Sequence, residues 1–287
     1  MAKGRELKGR IKTVENTRKI TRTMEMVATS KMKRAQDRVV AARPFANSLT
    51  EVIANLYTPE LAEAFPLLRQ PATINKAAII VLTSNRGLAG AFNANLLKEA
   101  RALLGRLKES NVEPELHVIG KKGLGYFRYV NRAVASSRTD ITDRPTAENA
   151  AQIVDELIQR FASGDIDAVH IVYAKFQSAL STPPTTQTIL PVTPPERTGP
   201  QPDYILLPSA EVILTQLLPS YVRNSVYKAL VETAAGEQGA RRTAMKNATD
   251  NAGEMLNVLR RTFNRARQAQ ITQEIAEIVG GAAALQG

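Results

Sequence analysis

Residues 245–283 read MKNATDNAGEMLNVLRRTFNRARQAQITQEIAEIVGGAA. Met245, Ala248, Ala252, Met255, Leu259, Thr262, Ala266, Ala269, Gln273, Ala276, Gly280 and Ala283 follow one another at spacings of 3 and 4 without a break. Polar and charged residues such as Lys246, Asp250, Glu254, Arg260, Arg265 and Glu277 fill the gaps. A mean spacing of 3.5 held over about five heptads predicts a coiled-coil helix. Half of this seam is alanine, which buries little area at ~0.8 kcal/mol per methylene but lets two helices approach closely. The stretch predicts a narrow, stiff rod.

A partner helix is written at the other end. Ala28, Met32, Ala35, Val39, Ala42, Ala46, Leu49, Ile53 and Leu56 again step by 4 and 3. Val14, Thr17, Thr21 and Met24 carry the stripe upstream, with a small phase slip at Ala28. Two terminal helices, roughly 3–57 and 210–286, are expected to pack antiparallel. At 1.5 Å per residue they would span about 80 and 115 Å. The longer one should overshoot, with a tip, Ile275 to Leu285, that is apolar almost all round. Pro44 lies inside the first helix and is expected to kink it. Alanine at Ala248, Ala252, Ala266, Ala269 and Ala276 implies close packing, so that Ala266→Leu would strain the rod.

The middle of the chain follows a different pattern. Ala77 to Leu82, Leu116 to Ile119 and Ala168 to Tyr173 are short apolar runs of the kind buried on both faces of a sheet. Helical segments at 91–110, 121–129 and 146–162 alternate with them. Thr186 to Val192 is a further strand candidate, and Tyr204 to Leu207 another. The expected fold is a Rossmann-like α/β domain with a largely parallel sheet, plus a long antiparallel coiled coil. The divisions are 1–58 (N-terminal helix), 72–207 (α/β domain) and 208–287 (C-terminal helix). Pro59, Pro66 and Pro71 mark the exit from the first helix, and residues 193–203 read as a Pro/Gly linker.

Composition excludes several function classes. The chain has 287 residues and no cysteine, so disulfides, thiolate catalysis and Cys-ligated zinc are ruled out. No apolar run approaches the ~20 residues of a membrane-spanning helix. No signal or transit peptide is apparent. The net charge of +11 is uneven: residues 1–57 carry +8, in clusters such as Arg18-Lys19, Arg22 and Lys31 with Lys33-Arg34. Such a helix is either a solvated face or one that meets an acidic partner.

The α/β pattern invites a search for nucleotide and catalytic motifs. Gly87-Leu88-Ala89-Gly90 follows the first strand, but no GxGxxG is present. Gly123-Leu124-Gly125 has Arg128 where a third glycine would stand. Gly120-Lys121 has Glu115 where a phosphate-binding loop needs its first glycine. The glycines are read as strand-to-helix turns. His117 and His170, the only histidines, are read as core or sheet-face residues. Asp165 and Asp167 are read as turn chemistry. No catalytic residue, cofactor or metal is expected.

The termini carry longer signatures. Ile271 through Leu285, Ala244 through Gly253 and Asn264 through Ala269 resemble the gamma subunit of F-type ATP synthase. So do Arg10-Ile11-Lys12, Asn16 through Thr21, Met24 through Ala28 and Lys31-Met32, with Arg86-Gly87-Leu88 and Gly90 in the middle. The central motif has Asn85, Ala89 and Ala91 where many relatives have Asp, Cys and Gly. Tyr204-Ile205-Leu206-Leu207-Pro208 lacks the aromatic and Glu that often precede that proline. The cysteine-containing insert of plant-type relatives is absent.

The resemblance implies a central rotor shaft standing inside a hexamer of alpha and beta subunits. Its α/β domain would rest on the ring of c subunits beside the epsilon subunit. It implies a non-catalytic subunit, peripheral on the cytoplasmic face of a bacterial cell membrane, that couples proton or sodium flow to ATP synthesis or hydrolysis. By resemblance, Met24, Arg267, Gln268, Thr272, Glu274, Ile275, Ile278 and Leu285 meet the hexamer, and an acidic loop of beta faces the basic helix. Two rivals remain from the residues themselves. A basic coiled coil could grip nucleic acid, or helical arms could oligomerise an α/β enzyme, although no catalytic cluster supports the latter.

Overall fold

The computed structural model describes residues 2–57, 65–178, 181–193 and 209–286, with the side chains of 5–57 and of residues up to 282 within them. Pro59, nearly all of the 193–203 linker, the Tyr204 to Leu207 strand candidate and the side chains of Ala283 and Leu285 lie outside the described residues.

Eleven elements are described: α1 (Ala2–Leu56), a 3-10 turn (Pro66–Leu68), β1 (Lys76–Leu82), α2 (Phe92–Glu109), β2 (Glu113–Ile119), α3 (Lys121–Tyr129), β3 (Ser136–Arg138), α4 (Ala147–Ser163), β4 (Ala168–Ala174), β5 (Pro184–Leu190) and α5 (Ala210–Gln286). The helical assignment of α1 includes Pro44 and that of α5 includes Pro219. Two compact units result, one of residues 29–241 and one of 1–28 with 242–287.

Within residues 29–241 the sheet order is β3-β2-β1-β4-β5. β1 to β4 run parallel, and β5 pairs antiparallel with β4. The sheet is therefore mixed, with one antiparallel edge. Residues alternate across it. Ile79, Val81, Leu116, Val118 and Val172 face α2 and α3 through Phe92, Leu96, Ala100, Leu103 and Phe127. Ala78, Ile80, Leu82, Val169 and Ile171 face the other way. They pack on α4 through Val154, Leu157 and Phe161, on α1 through Leu49, Ile53 and Leu56, and on α5 through Leu214, Leu218, Val222 and Val226. β1 is buried almost end to end, as expected of a central strand with helices on both faces. Thr146 and Asn149 form a reciprocal capping box that starts α4, and Gly164 in the left-handed region ends it.

In the other unit α1 and α5 run antiparallel. Thr249 Oγ1 donates to Thr21 Oγ1 at 2.8 Å, and Arg260 pairs with Glu15 at 2.6 Å. The Arg18 side chain lies over Gly253, at ordinary contact distance from where a Cβ would stand. The buried stripe of α5 here is Met245, Thr249, Ala252 and Leu256, continued by the half-buried Leu259, Phe263, Ala266 and Gln270. This corrects the sequence-derived seam at alternate positions. Met255 is 54% exposed whereas Leu256 is 3% exposed; Thr262 and Ala269 are also exposed. Both stripes share Met245, Ala252, Leu259 and Ala266 and differ in which neighbouring row completes them. The row containing Leu256 and Phe263 offers more apolar area to α1 than the row containing Met255 and Thr262. On α1, Val14, Thr21, Met24 and Ala28 keep their place on the packed side, while Thr17 is exposed.

Candidate partner-binding surfaces

From Ile271 to Ala282 every residue of α5 is exposed. The pairings of Thr21 with Thr249 and Glu15 with Arg260 explain why. By antiparallel extrapolation α1 reaches its own N-terminus opposite about residue 270, so the end of α5 continues alone. Ile271, Ile275, Ile278 and Val279 are all about half or more exposed. At ~100° per residue they share one side of the helix, rotated away from the stripe that faces α1.

The structure places Thr272, Glu274, Ile275 and Ile278 on this exposed segment, with Arg267 and Gln268 exposed in the turn just before it. Thr272 Oγ1 donates to the Gln268 carbonyl at 3.0 Å, and Gln270 Nε2 donates to Glu274 Oε1 at 2.8 Å. Met24 is not brought to them. It lies half-buried on α1, beyond Thr21, which pairs with Thr249. Arg267 is eighteen residues further along α5, about 27 Å at 1.5 Å per residue. The two sets therefore occupy two levels of the helix pair. Lys19, Arg22, Lys33 and Arg34 are exposed on α1, while Lys31 is engaged with Asp143 at 2.7 Å.

The N-terminus of α3, the second helix start that could attract an anion, is filled by the chain. Lys121 N donates to Asn85 Oδ1 (3.0 Å), Lys122 N to the Ser84 carbonyl (3.1 Å) and Gly123 N to Thr83 Oγ1 (2.9 Å). The first amides of α3, which would otherwise attract an anion, are thus satisfied by the loop after β1. Gly120, at φ +101, and Gly123 are required there. A Cβ on Gly120 would stand 2.2 Å from the Thr83 carbonyl oxygen, and one on Gly123 2.8 Å from Thr83 Oγ1.

The remaining candidate groups are structural. His117 is buried, with Nδ1 2.7 Å from Ser136 Oγ and Nε2 3.1 Å from Glu115 Oε1. Burial pushes its imidazole down, against the pull of Glu115. Arg160 grips Glu115 with two bonds of 2.7 and 2.8 Å and holds that carboxyl below its ordinary value. His170 Nδ1 sits 3.0 Å from Thr188 Oγ1. Asp167 accepts from Asn75 N and Lys76 N, tying the start of β4 to that of β1. Among the described residues no group of three or more His, Asp or Glu could hold a metal ion. No described helix is long and apolar enough to cross a membrane.

Sequence reasoning missed a run of buried polar residues on α5: Glu232, Thr233, Gln238 and Arg241. Burial raises the Glu232 carboxyl, opposed by a hydrogen bond from Phe176 N, and burial also raises Glu237, opposed by Arg241. The signal available was the interruption of an apolar helix face by charges between Val231 and Met245.

A family model described as ATP synthase matches residues 3–285. The ATP synthase gamma chain of Gemmatimonas aurantiaca is 67% identical, with both chains covered in full. This chain belongs to the gamma-subunit family of F-type ATP synthase. The gamma chain of Leptospira biflexa is 43% identical over 99% of this chain and 100% of the relative. Among solved structures, a chain of the central stalk and c-ring of Tetrahymena thermophila mitochondrial ATP synthase is 26% identical. It superposes with a TM-score of 0.60, covering 80% of this chain and 99% of that one. A Euglena gracilis mitochondrial ATP synthase chain, at 20% identity and a TM-score of 0.71, shares the fold. The gamma family supplies the central rotating shaft that couples rotation to catalytic cycling. It is a non-catalytic subunit, and it interacts with F1 and c-ring components of the complex.

Proposed function

We propose that this chain stands with α5 inside a hexamer of alternating alpha and beta subunits, and that its α/β domain rests beside the epsilon subunit on a ring of c subunits. The complex would lie on the cytoplasmic face of a bacterial cell membrane, with this chain peripheral. Residues 1–58 and 208–287 form the shaft in this reading, and 72–207 the foot. The observation that carries it is the twelve-residue exposed end of α5, 271–282, with four large aliphatic side chains uncovered. Exposed apolar surface of this kind marks an interaction site. Ile275, Ile278 and Leu285 would sit in an apolar sleeve of the hexamer. Arg267, Gln268, Thr272 and Glu274 would meet its polar rim. Met24 and the basic face of α1 would meet an acidic loop of beta at a lower level.

Co-purification with candidate alpha and beta subunits, read by mass, tests the proposal. A stable complex with three copies of each per copy of this chain is the expected result, and failure to retain them would overturn it. The rival, a nucleic-acid grip by the basic helix, predicts nanomolar saturation with duplex DNA at physiological salt. The shaft reading predicts none.

A further inference from the structure

The C-terminal ends of β1 and β4 lie side by side at the centre of the sheet. From this pair the strand order runs outward both ways, to β2 and β3 on one side and to β5 on the other. In open α/β sheets a crevice at such a switch point is where ligands bind. Here it receives a segment of the same chain. Thr233 Oγ1 accepts from Ala174 N at 3.3 Å, and Glu232 accepts from Phe176 N at 3.0 Å, both at the end of β4. Arg241 donates to the Gly87 carbonyl, in the loop after β1, at 3.2 and 3.4 Å and pairs with Glu237 at 2.6 Å. Between them Gly236 brings the helix against the sheet. A Cβ there would stand 3.3 Å from Ala174 Cβ, Phe92 Cε2 and Thr182 Cβ.

We propose that residues 232–241 of α5 form the joint through which torque passes between the foot and the shaft, an inference that rests on the rotor function. Apolar packing alone is non-directional and resists sliding or rolling of a helix poorly. Directional bonds from buried, partly charged side chains to backbone atoms at the end of β4 and in the loop after β1 resist both. Glu232 and Thr233 engage one strand end and Arg241 the loop after the other, so the contacts oppose rotation of the helix about its own axis. Gly236 keeps the helix close enough for all of them to form. The crevice at the switch point thereby becomes a mechanical socket.

The test uses the assembled ATP synthase complex with a probe on the foot at Tyr129→Cys, an exposed position in a chain without cysteine. With the hexamer stalled, the angular fluctuation of the probe is recorded. Coupling ions pumped per ATP hydrolysed, protons or sodium, are measured in parallel. Glu232→Ala with Thr233→Val is expected to at least double the angular variance and at least halve the pumping ratio. Glu232→Gln with Thr233→Ser, which keeps both acceptor oxygens, is expected to restore values close to wild type. Arg223→Ala, which breaks an exposed ion pair to Asp155, is expected to change neither. If the Ala/Val variant does not assemble, the isosteric Thr233→Val alone carries the same two readouts. Wild-type variance and pumping in the assembled variants would overturn the joint, as would a Gln/Ser variant as loose as Ala/Val. A wild-type complex that does not form would instead overturn the rotor reading.

Discussion

Replacing Leu256 with alanine tests the seam most sharply, because its neighbour supplies the control. Leu256 is nearly inaccessible, whereas Met255, the residue that the 3-4 spacing first selects, is more than half exposed. Leu→Ala at a buried site costs about 2–5 kcal/mol, and the spread reflects how far the site can collapse. Two helices without a third layer can close partly over the gap, so about 2–3 kcal/mol is expected. Met255→Ala removes a side chain that already faces water, and its cost should stay within about 0.5 kcal/mol. With a slope of a few kcal/mol per molar urea, Leu256→Ala should lower the midpoint of the helix-pair transition by roughly 1 M. Far-UV circular dichroism of the purified chain in urea reads this directly. Equal losses for the two variants, or a larger loss for Met255→Ala, would refute the seam assigned to α5.

Other consequences can be measured in the same way. Ala252→Leu, at a buried seam position, should cost ~1–3 kcal/mol in overpacking, whereas Ala266→Leu should be milder because Ala266 is only half-buried; equal costs in thermal unfolding would contradict this. Gly120→Ala should abolish soluble expression or cost more than ~3 kcal/mol, since its Cβ would overlap the Thr83 carbonyl, while Gly125→Ala, with nothing within 4 Å, should gain about 0.4–1 kcal/mol. The folded pKa of His117 lies below its unfolded value, so its contribution is complete above about pH 6.5 and is lost as the pH falls through the lower folded value. Glu115, also lowered, adds a second loss below about pH 4.3. His117→Asn should therefore flatten the loss of stability that begins below about pH 6.5 and keep the loss that begins below about pH 4.3, and an unchanged profile would rule out His117 as its source.

The helices and central strands were legible because their periods are strong. The segments 91–110, 121–129 and 146–162 lie within a residue of α2, α3 and α4. β3 escaped notice because three residues, Ser136 to Arg138, mostly exposed on the sheet edge, carry no apolar alternation. The antiparallel direction of β5 was not legible, because period alone does not set strand direction. The seam of α5 was half legible. Alanine and methionine at 3-4 spacing mimic a core, and only the position of α1 decides between Met255 and Leu256. The socket residues were invisible because Glu232 and Arg241 look like solvated charges until the ends of β4 and β1 are placed beside them.

A central shaft must turn inside its hexamer. The most direct measurement attaches a probe to the foot at Tyr129→Cys in a reconstituted complex with alpha and beta subunits and records its angle during ATP hydrolysis. Unidirectional, stepwise rotation with three-fold repeat is the result expected of a central shaft. A complex that hydrolyses ATP at its full rate while the probe stays fixed would contradict it.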